Sequence, residues 1–240
     1  ERWPGWQDVP PRRAGAAVAE REHREWAAVD RILCPSEFVR ESVAAAGGPV
    51  EKCRLVPYGT DLERFPPRPA RRAPEGRPLR VLFAGEVGLR KGAPYLLEAL
   101  RRLGPDVVQA RLVGAVRIDP RKLAPYAEVA TFTGAVARPA MREHYAWADL
   151  FVFPSVCEGS AAVLSEALAS GLPVVCTPNS GPPPCKGGLR VVPAGDADAI
   201  AEAIVAAGRG YEAAQPPHDP DPPFGLRAYG ERVVQTVTEV

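Results

Sequence analysis

Several residue types are scarce in this chain of 240 residues, and each scarcity excludes a class of protein. The three histidines, His23, His144 and His218, are too scattered for a recognisable metal motif, so we expect no metal. The five cysteines are odd in number and form no C-x-x-C pair, which favours reduced thiols in a cytoplasmic protein. No apolar run approaches the roughly 20 residues of a membrane span, and no secretory signal pattern opens the chain.

Excess charge is also lacking, because 30 basic and 29 acidic residues leave a net charge of +1. This balance argues against a surface dedicated to nucleic acid or to an anionic membrane. With 46% hydrophobic and 25% charged residues, the composition is typical of a globular protein with one large domain or one domain with attachments. The only methionine is Met141, so a chain that begins at Glu1 is expected to be a fragment or a processed product.

A regular alternation of strand and helix patterns begins at Leu79. Continuous apolar runs predict strands that are covered on both faces, and the βαβα order predicts a parallel sheet. The expected fold class is therefore α/β, with a Rossmann-like doubly wound parallel sheet and flanking helices. Such sheets bind ligands outside the carboxyl ends of their strands. The predicted strands span 79–84, 107–113, 129–132, 150–153, 173–176 and 189–192, and the predicted helices span 94–103, 139–147, 160–170 and 197–207.

The regions on either side of this pattern predict attachments to the main domain. The pattern of residues 20–61 predicts a helix, a strand, a helix and a strand, and this segment is too small to bury a hydrophobic core alone. Proline- and arginine-rich residues from 66 to 78 predict a linker, and a second proline-rich stretch at 215–223 precedes a predicted helix at 226–237. We therefore expect units at 1–64, 65–78, 79–213 and 214–240.

Two glutamates, Glu158 and Glu166, lie eight residues apart around a Gly-Ser turn at the start of a predicted helix. Eight residues rotate by roughly 80° beyond two full turns, so both carboxylates cannot share one helix face. Ser160 is an acceptable N-cap, and Gly171 is a natural residue just past the C-terminus. We therefore expect Glu158 in the loop, and Glu166 in the second turn, pointing away from the buried stripe that includes Leu164.

The free backbone N–H groups of the first helical turn lie between these carboxylates and predict an anion site. The carboxylates themselves accept hydrogen bonds from hydroxyl groups. A nucleoside diphosphate sugar, with a ribose, a diphosphate and a hexose in a row, has the matching pattern. The alternative is an ordinary solvent-facing glutamate on an amphipathic helix.

A second phosphate candidate is the loop after the first strand of the main sheet, Gly85-Glu86-Val87-Gly88-Leu89-Arg90-Lys91-Gly92. It matches neither the dinucleotide fingerprint nor the P-loop. Its two adjacent cations nevertheless follow a strand and precede a helix, on the edge where Glu158 is expected, and could neutralise a diphosphate there. A solvated loop is the alternative.

These pieces together resemble the C-terminal, donor-binding half of family-4 retaining glycosyltransferases of the GT-B fold. The resemblance runs in order from about residue 54 to residue 207, and each piece alone is weak. The matching residues are Val56-Pro57-Tyr58-Gly59-Thr60-Asp61 with Phe65; Phe83-Ala84-Gly85, Arg90-Lys91-Gly92 and Ala99; Phe132-Thr133-Gly134, Tyr145, Ala148 and Asp149; and Pro154-Ser155, Glu158-Gly159, Glu166-Ala167 and Gly171-Leu172-Pro173-Val174-Val175.

The resemblance implies a role for each candidate residue. Glu158 would bond the donor hexose, Glu166 would hold the ribose, and Arg90 and Lys91 would neutralise the diphosphate; Glu158, Arg90 and Lys91 are the catalytic candidates. Gly85 would lie in the phosphate loop, and the loop after Gly134 would border the base. The remaining binding candidates are the backbone amides of Ala161, Ala162, Val163 and Leu164. The donor would be a UDP-, GDP- or ADP-sugar, with no further cofactor.

Three departures from the family pattern bear on these roles. Glu86 stands where the family often has a polar donor, and a carboxylate there would oppose phosphate binding. Ser160 replaces an aromatic or apolar residue, and the stretch from Gly181 to Gly188 is short and rich in proline.

The implied function is transfer of a sugar, with retention, to a glycan or glycoconjugate acceptor in a bacterial cytoplasm. Only the remnant at 1–64 would belong to the N-terminal acceptor domain, so we expect the isolated chain to be inactive without that domain. Peripheral membrane association of the full-length protein stays open. The alternatives are a non-catalytic binding module and a GT-B phosphorylase or epimerase.

Overall fold

A parallel six-stranded sheet forms the centre of the computed structural model, which describes residues 2–7, 15–67, 69, 75–211, 219 and 222–238. The strands are β1 (Ile32–Cys34), β2 (Cys53–Leu55), β3 (Leu79–Ala84), β4 (Val108–Val113), β5 (Ala130–Gly134), β6 (Leu150–Phe153), β7 (Val174–Cys176) and β8 (Leu189–Val191). The helices are α1 (Gly15–Ala28), α2 (Glu37–Ala45), α3 (Ala93–Leu103), α4 (Pro120–Leu123), α5 (Met141–Trp147), α6 (Ala162–Ala169), α7 (Ala197–Arg209) and α8 (Leu226–Thr238).

The strand order of the main sheet is β5-β4-β3-β6-β7-β8, and every pairing is parallel. The chain first moves outward from β3 to β5 and then returns to place β6 on the other side of β3. The order therefore reverses between β3 and β6, which is the topological switch point where open α/β sheets bind ligands. The loops after β3 and β6 carry the two groups of candidate site residues.

Burial on both faces explains why the strands are continuous apolar runs. All four residues of β6 are buried, and the rings of Phe83 and Phe153 stack with their centroids 5.5 Å apart across the β3–β6 pair. Helix α3 packs against α7, while α5 contacts β3 and α6 contacts β6 and β7. The predicted Rossmann-like doubly wound fold is confirmed.

The start of α6 differs from the prediction. Ala161, not Ser160, is the N-cap, and no side chain caps the helix. The N–H of Ala161 donates to the carbonyl of Ser180 at 3.1 Å, and the backbone of Gly159 and Ser160 lies against Gly181. These contacts with a distant segment hold the turn in place, so the N-cap and the helix start lie one residue later than the cap signal predicts.

A smaller unit precedes the main sheet. Strands β1 and β2 pair in parallel, and buried Cys34, Val43 and Cys53 pack with Trp26. Helix α2 is capped by Ser36, whose hydroxyl accepts from the N–H of Val39 at 3.2 Å. This unit confirms the helix–strand–helix–strand prediction for residues 20–61, although α1 begins earlier than predicted.

The C-terminal helix α8 lies beside the segment that connects β2 to the main sheet. The N–H of Thr60 donates to the carbonyl of Phe224 at 2.8 Å, and Gly59 lies against Leu226 and Tyr229. Residues 68 and 70–74 of the predicted linker and residues 215–218, 220 and 221 of the second proline-rich stretch lie outside the described residues, as do residues 212–214. The unit boundaries stay predictions. Within the described ranges, no helix has both the length and the apolar character needed to cross a membrane.

Candidate functional site

The loops after β3 and β6 are fastened to each other at the switch point. The carbonyl of Arg90 accepts from the N–H of Val156 at 2.9 Å and from the hydroxyl of Ser155 at 3.2 Å. Gly92, which caps α3, has φ +72°, and a Cβ on it would lie 1.9 Å from the carbonyl oxygen of Pro154. Only glycine allows this approach. The sequence folds here so that a cation-bearing loop and a carboxylate-bearing loop meet.

Glu158 forms ion pairs with both cations of the β3–α3 loop. The Arg90 guanidinium donates to Glu158 Oε2 at 3.0 Å, and Lys91 Nζ binds the same oxygen. The side chains of Lys91 and Glu158 are 12% and 20% exposed, whereas that of Arg90 is 54% exposed. The sequence prediction placed the three residues on one edge of the sheet, and the structure brings them into direct contact.

Lys91 is the more buried of the two cations. Its ammonium lies 5.3 Å from the centre of the Phe153 ring. Burial, and then the neighbouring Arg90 charge, lower the pKa of Lys91 to about 8. The lysine therefore loses its charge at a lower pH than a solvated lysine does.

This lowered pKa predicts a pH-dependent affinity for a diphosphate. Only the protonated form of Lys91 attracts phosphate oxygens, so raising the pH through a pKa of about 8 removes the attraction. We expect the affinity for GDP to fall about tenfold between pH 7 and pH 9, a range in which the diphosphate keeps its charge. Calorimetric titration at several pH values measures this. Lys91→Arg should flatten the profile because arginine stays charged, and an equally steep profile in that variant would contradict the assignment.

Glu166 is 6% exposed, although the helical pattern predicts that it points away from the buried stripe. Its carboxylate accepts from the Tyr145 hydroxyl at 2.8 Å and from the Arg138 guanidinium at 3.1 Å. Neighbouring elements cover this side of α6, which a single-helix projection cannot show. Burial and the Glu166 charge raise the pKa of Tyr145 well above its ordinary value, so its hydroxyl remains a donor.

Arg138 lies four residues after Gly134, the last residue of β5. Its contact with Glu166 therefore links the loop after Gly134 to α6. The sequence interpretation gave Arg138 no role and Tyr145 none beyond its place in the family pattern. A signal did exist, because Arg138 follows the carboxyl end of a predicted strand and therefore lies on the ligand edge.

Two of the four candidate backbone amides at the start of α6 are already hydrogen-bonded. The Ala161 N–H donates to Ser180, and the Leu164 N–H donates to the carbonyl of Ala161 at 3.0 Å. The N–H groups of Ala162 and Val163 have no backbone partner among the described residues. The predicted anion site is thus reduced to these two donors.

Glycines end three neighbouring strands on this edge. Gly85 and Gly134 were singled out from the sequence, and Gly114, which follows β4, was missed. Gly114 has φ +143°, and a Cβ there would lie 1.9 Å from the carbonyl oxygen of Gly85. The missed signal was a glycine directly after a predicted strand, in the same position as Gly85. Gly114 keeps the β3 and β4 loops close together.

Glu86, expected to oppose phosphate binding, is paired. Its carboxylate accepts from the Arg117 guanidinium at 3.2 Å. This exposed pair offsets part of the Glu86 charge. Within the part of the chain that the structure describes, no three His, Cys, Asp or Glu side chains form a cluster that could hold a metal. The expectation that no metal is needed stays a prediction.

The parallel sheet, with the candidate site at its switch point, defines a Rossmann-like α/β domain. Its structure is similar to HepE of Anabaena, solved in complex with UDP, with a TM-score of 0.74 and 16% identity over 98% of this chain and 71% of that one. It is also similar to sucrose-phosphate synthase of Thermosynechococcus elongatus, with a TM-score of 0.71 and 23% identity over 96% and 64% of the two chains. At these identities the likeness shows the fold alone.

The family model described as glycosyl transferases group 1 matches residues 78–208, and the chain belongs to this family. A GDP-mannose-dependent alpha-(1-6)-phosphatidylinositol monomannoside mannosyltransferase of Mycobacterium tuberculosis is 34% identical over 73% of this chain and 51% of its own length. A GDP-mannose-dependent alpha-mannosyltransferase of Mycolicibacterium smegmatis is 33% identical over 73% and 49%. The chain therefore spans about half the length of these curated relatives.

Proposed function

We propose that this chain supplies the donor-binding half of a retaining glycosyltransferase, which transfers a sugar from a nucleoside diphosphate sugar to a glycan or glycoconjugate acceptor. The observation that carries the proposal is the pairing of Arg90 and Lys91 with Glu158 at the switch point between β3 and β6. Family membership supports a transferase over the phosphorylase, the epimerase and the non-catalytic module.

The diphosphate would take the place of Glu158 on the two cations. Phosphate oxygens, like the carboxylate, accept charge-assisted hydrogen bonds from Arg90 and Lys91. Glu158 would then be released to accept from hydroxyl groups of the donor hexose. As the bond to the sugar breaks, negative charge grows on the departing nucleoside diphosphate, and fixed cations at that position stabilise it electrostatically.

Glu166 would hold the ribose by a similar exchange of partners. Its carboxylate keeps the buried Tyr145 hydroxyl on one oxygen, while Arg138, on the other, is a surface side chain that can move away. Ribose hydroxyls would replace Arg138, which would place the base beside the loop that follows Gly134. The amides of Ala162 and Val163 would complete the diphosphate site.

The donor to test first is GDP-mannose, because relatives from two bacterial species use it by name. UDP- and ADP-sugars follow, since a structural neighbour was solved with UDP. In our proposal, an N-terminal domain outside this chain binds the acceptor. The enzyme works in the cytoplasm, and any peripheral association with a membrane is a property of the full-length protein. The anomeric configuration of the product, formed once the N-terminal domain is present, tests retention.

The ribose role of Glu166 can be tested on the chain as it stands. Glu166→Ala is expected to weaken GDP binding about tenfold, because hydrogen bonds to a charged acceptor contribute about 1.5–3 kcal/mol each. It should also lower the free energy of unfolding by about 1–3 kcal/mol, since the buried Tyr145 hydroxyl loses its acceptor. Calorimetry and urea unfolding measure the two effects.

Two further variants separate binding from stability. Glu166→Gln keeps an acceptor for Tyr145 and should restore most of the unfolding free energy but little of the affinity. Glu202→Ala removes an exposed glutamate of α7 and should change neither quantity. The proposal fails if GDP, UDP and ADP all leave the unmodified chain unchanged at millimolar concentration, or if Glu166→Ala binds as tightly as the unmodified chain.

A further inference from the structure

Residues 2–7, here called the N-terminal strap, lie across three loops of the main domain. The Arg2 guanidinium donates to the carbonyl of Gly195 at 3.0 Å, and the carbonyl of Trp6 accepts from the N–H of Asp119 at 2.9 Å. Gly195 follows β8, and Asp119 lies between β4 and α4. The strap therefore lies at the edge of the sheet that carries the candidate site.

Aromatic rings fix the strap on this edge. The Trp3 ring packs edge-on against Trp6 and Tyr95, with centroid separations of 4.7 and 5.4 Å. Trp6 lies 6.2 Å from Tyr126, and Arg2 lies 5.5 Å from the centre of the Tyr95 ring. Ring pairs of this kind stabilise a structure by more than the burial of their apolar area alone. The strap thus has several independent attachments to the domain.

The last strap residue, Gln7, contacts the loop that carries the two cations. Its side-chain oxygen accepts from the N–H of Leu89 at 2.9 Å. The same oxygen would lie only 2.8 Å from a Cβ added to Gly88. A glycine at position 88 is therefore what lets the Gln7 amide reach this backbone N–H.

The cationic loop is consequently held from two sides. Gln7 binds the N–H of Leu89, and the loop after β6 binds the carbonyl of the next residue, Arg90, through Val156 and Ser155. Arg90 and Lys91 extend from the segment between and beyond these two anchors. Losing the Leu89 anchor would free one end of the segment and leave the backbone that presents both cations less ordered.

We propose that Gln7 is a positioning residue for the diphosphate site: by holding the Leu89 amide, it fixes the backbone that presents Arg90 and Lys91 to the ligand. The inference rests on the proposed donor-binding function and adds to it a determinant from outside the matched family region. A binding loop that is already ordered loses less entropy when the ligand binds, so its affinity is higher.

The experiment compares GDP affinity in Gln7→Ala, Gly88→Ala and the double variant by calorimetry. Gln7→Ala is expected to weaken binding about fivefold, the equivalent of one typical hydrogen bond. Gly88→Ala should produce a similar loss because its Cβ displaces the Gln7 amide. In the double variant the atom nearest to that Cβ is Glu86 Oε1, at 3.4 Å, so the loss should be no larger than in either single variant.

Two controls separate positioning from general stabilisation of the strap. Arg2→Ala removes the bond to Gly195 but leaves Gln7 in place, and it should keep the GDP affinity within about twofold. Amide exchange of Leu89, followed by NMR without ligand, should accelerate in Gln7→Ala and remain slow in Arg2→Ala.

The outcomes are distinguishable. If the unmodified chain binds GDP and Gln7→Ala binds it equally well, the positioning role is wrong while the proposed function stands. Tighter binding by Gln7→Ala would also overturn the inference, since it would mean that Gln7 covers an amide that the phosphate needs. Additive losses in the double variant would show that Gly88 and Gln7 act separately, which would contradict the positioning role of the Gln7–Leu89 hydrogen bond. If GDP, UDP and ADP all fail to bind the unmodified chain, both proposals fall.

Discussion

Lys91→Met is expected to weaken GDP binding about 100-fold, the largest effect of any single substitution in the site. The variant keeps an unbranched apolar side chain of nearly the same length but removes a largely buried positive charge. Arg90 is too exposed to compensate, because solvent screens its charge. The loss should be specific to ligands that carry a diphosphate.

Lys122→Met is the matched control, since Lys122 is an exposed lysine of α4 that has no role in the proposed site. Its affinity for GDP should equal that of the unmodified chain. Calorimetric titration of both variants measures the difference. Equal affinities in the two variants would exclude Lys91 from the diphosphate site, whatever the behaviour of Glu166.

Asp149→Ala is expected to lower the free energy of unfolding by about 3–5 kcal/mol. The carboxylate is 1% exposed, accepts from both terminal nitrogens of Arg77 at 2.6 and 3.0 Å, and accepts from the N–H of Arg80 at 2.9 Å. Its removal leaves the strand amide of Arg80 without its acceptor and takes both carboxylate oxygens from the Arg77 guanidinium, which keeps its bond to the carbonyl of Pro78 at 3.0 Å. The pair fastens the start of β3 to the start of β6, the two strands that border the site.

Urea unfolding at constant pH measures the cost, and Glu25→Ala is the control. Glu25 pairs with Arg21 on the surface of α1, and both side chains are exposed. Surface pairs of this kind contribute little, so the control should change the unfolding free energy by less than about 0.5 kcal/mol. A similar small change in Asp149→Ala would contradict the structural role given to the Arg77–Asp149 pair.

The fold could be predicted because its local signals are strong and agree with one another. Continuous apolar runs such as the one at Leu150–Phe153 have few alternatives to a buried parallel strand. The predicted start of α6 was wrong because a hydrogen bond from the Ala161 N–H to the Ser180 carbonyl overrides the capping signal of Ser160. Strand order was also beyond reach, since it depends on contacts between residues far apart in sequence.

The sequence could select the candidate site residues, but it could not predict which of them contact one another. Spacing and the family pattern selected Glu158, Glu166, Arg90 and Lys91, yet they could not show that the first carboxylate binds both cations. The burial of Glu166 follows from Tyr145 and Arg138, which belong to other elements. Gln7 lies 82 residues from its partner Leu89, and no local pattern encodes such a contact.

The most direct test of the central claim is an NMR titration of the isotope-labelled chain with GDP. The donor-site assignment predicts that the backbone amide signals of Leu89 to Gly92 and of Glu158 to Val163 shift together, with one dissociation constant. It also predicts that those shifts are lost in Lys91→Met. Unchanged signals at saturating GDP, UDP and ADP, or shifts confined to another surface, would contradict a nucleoside diphosphate site at this switch point.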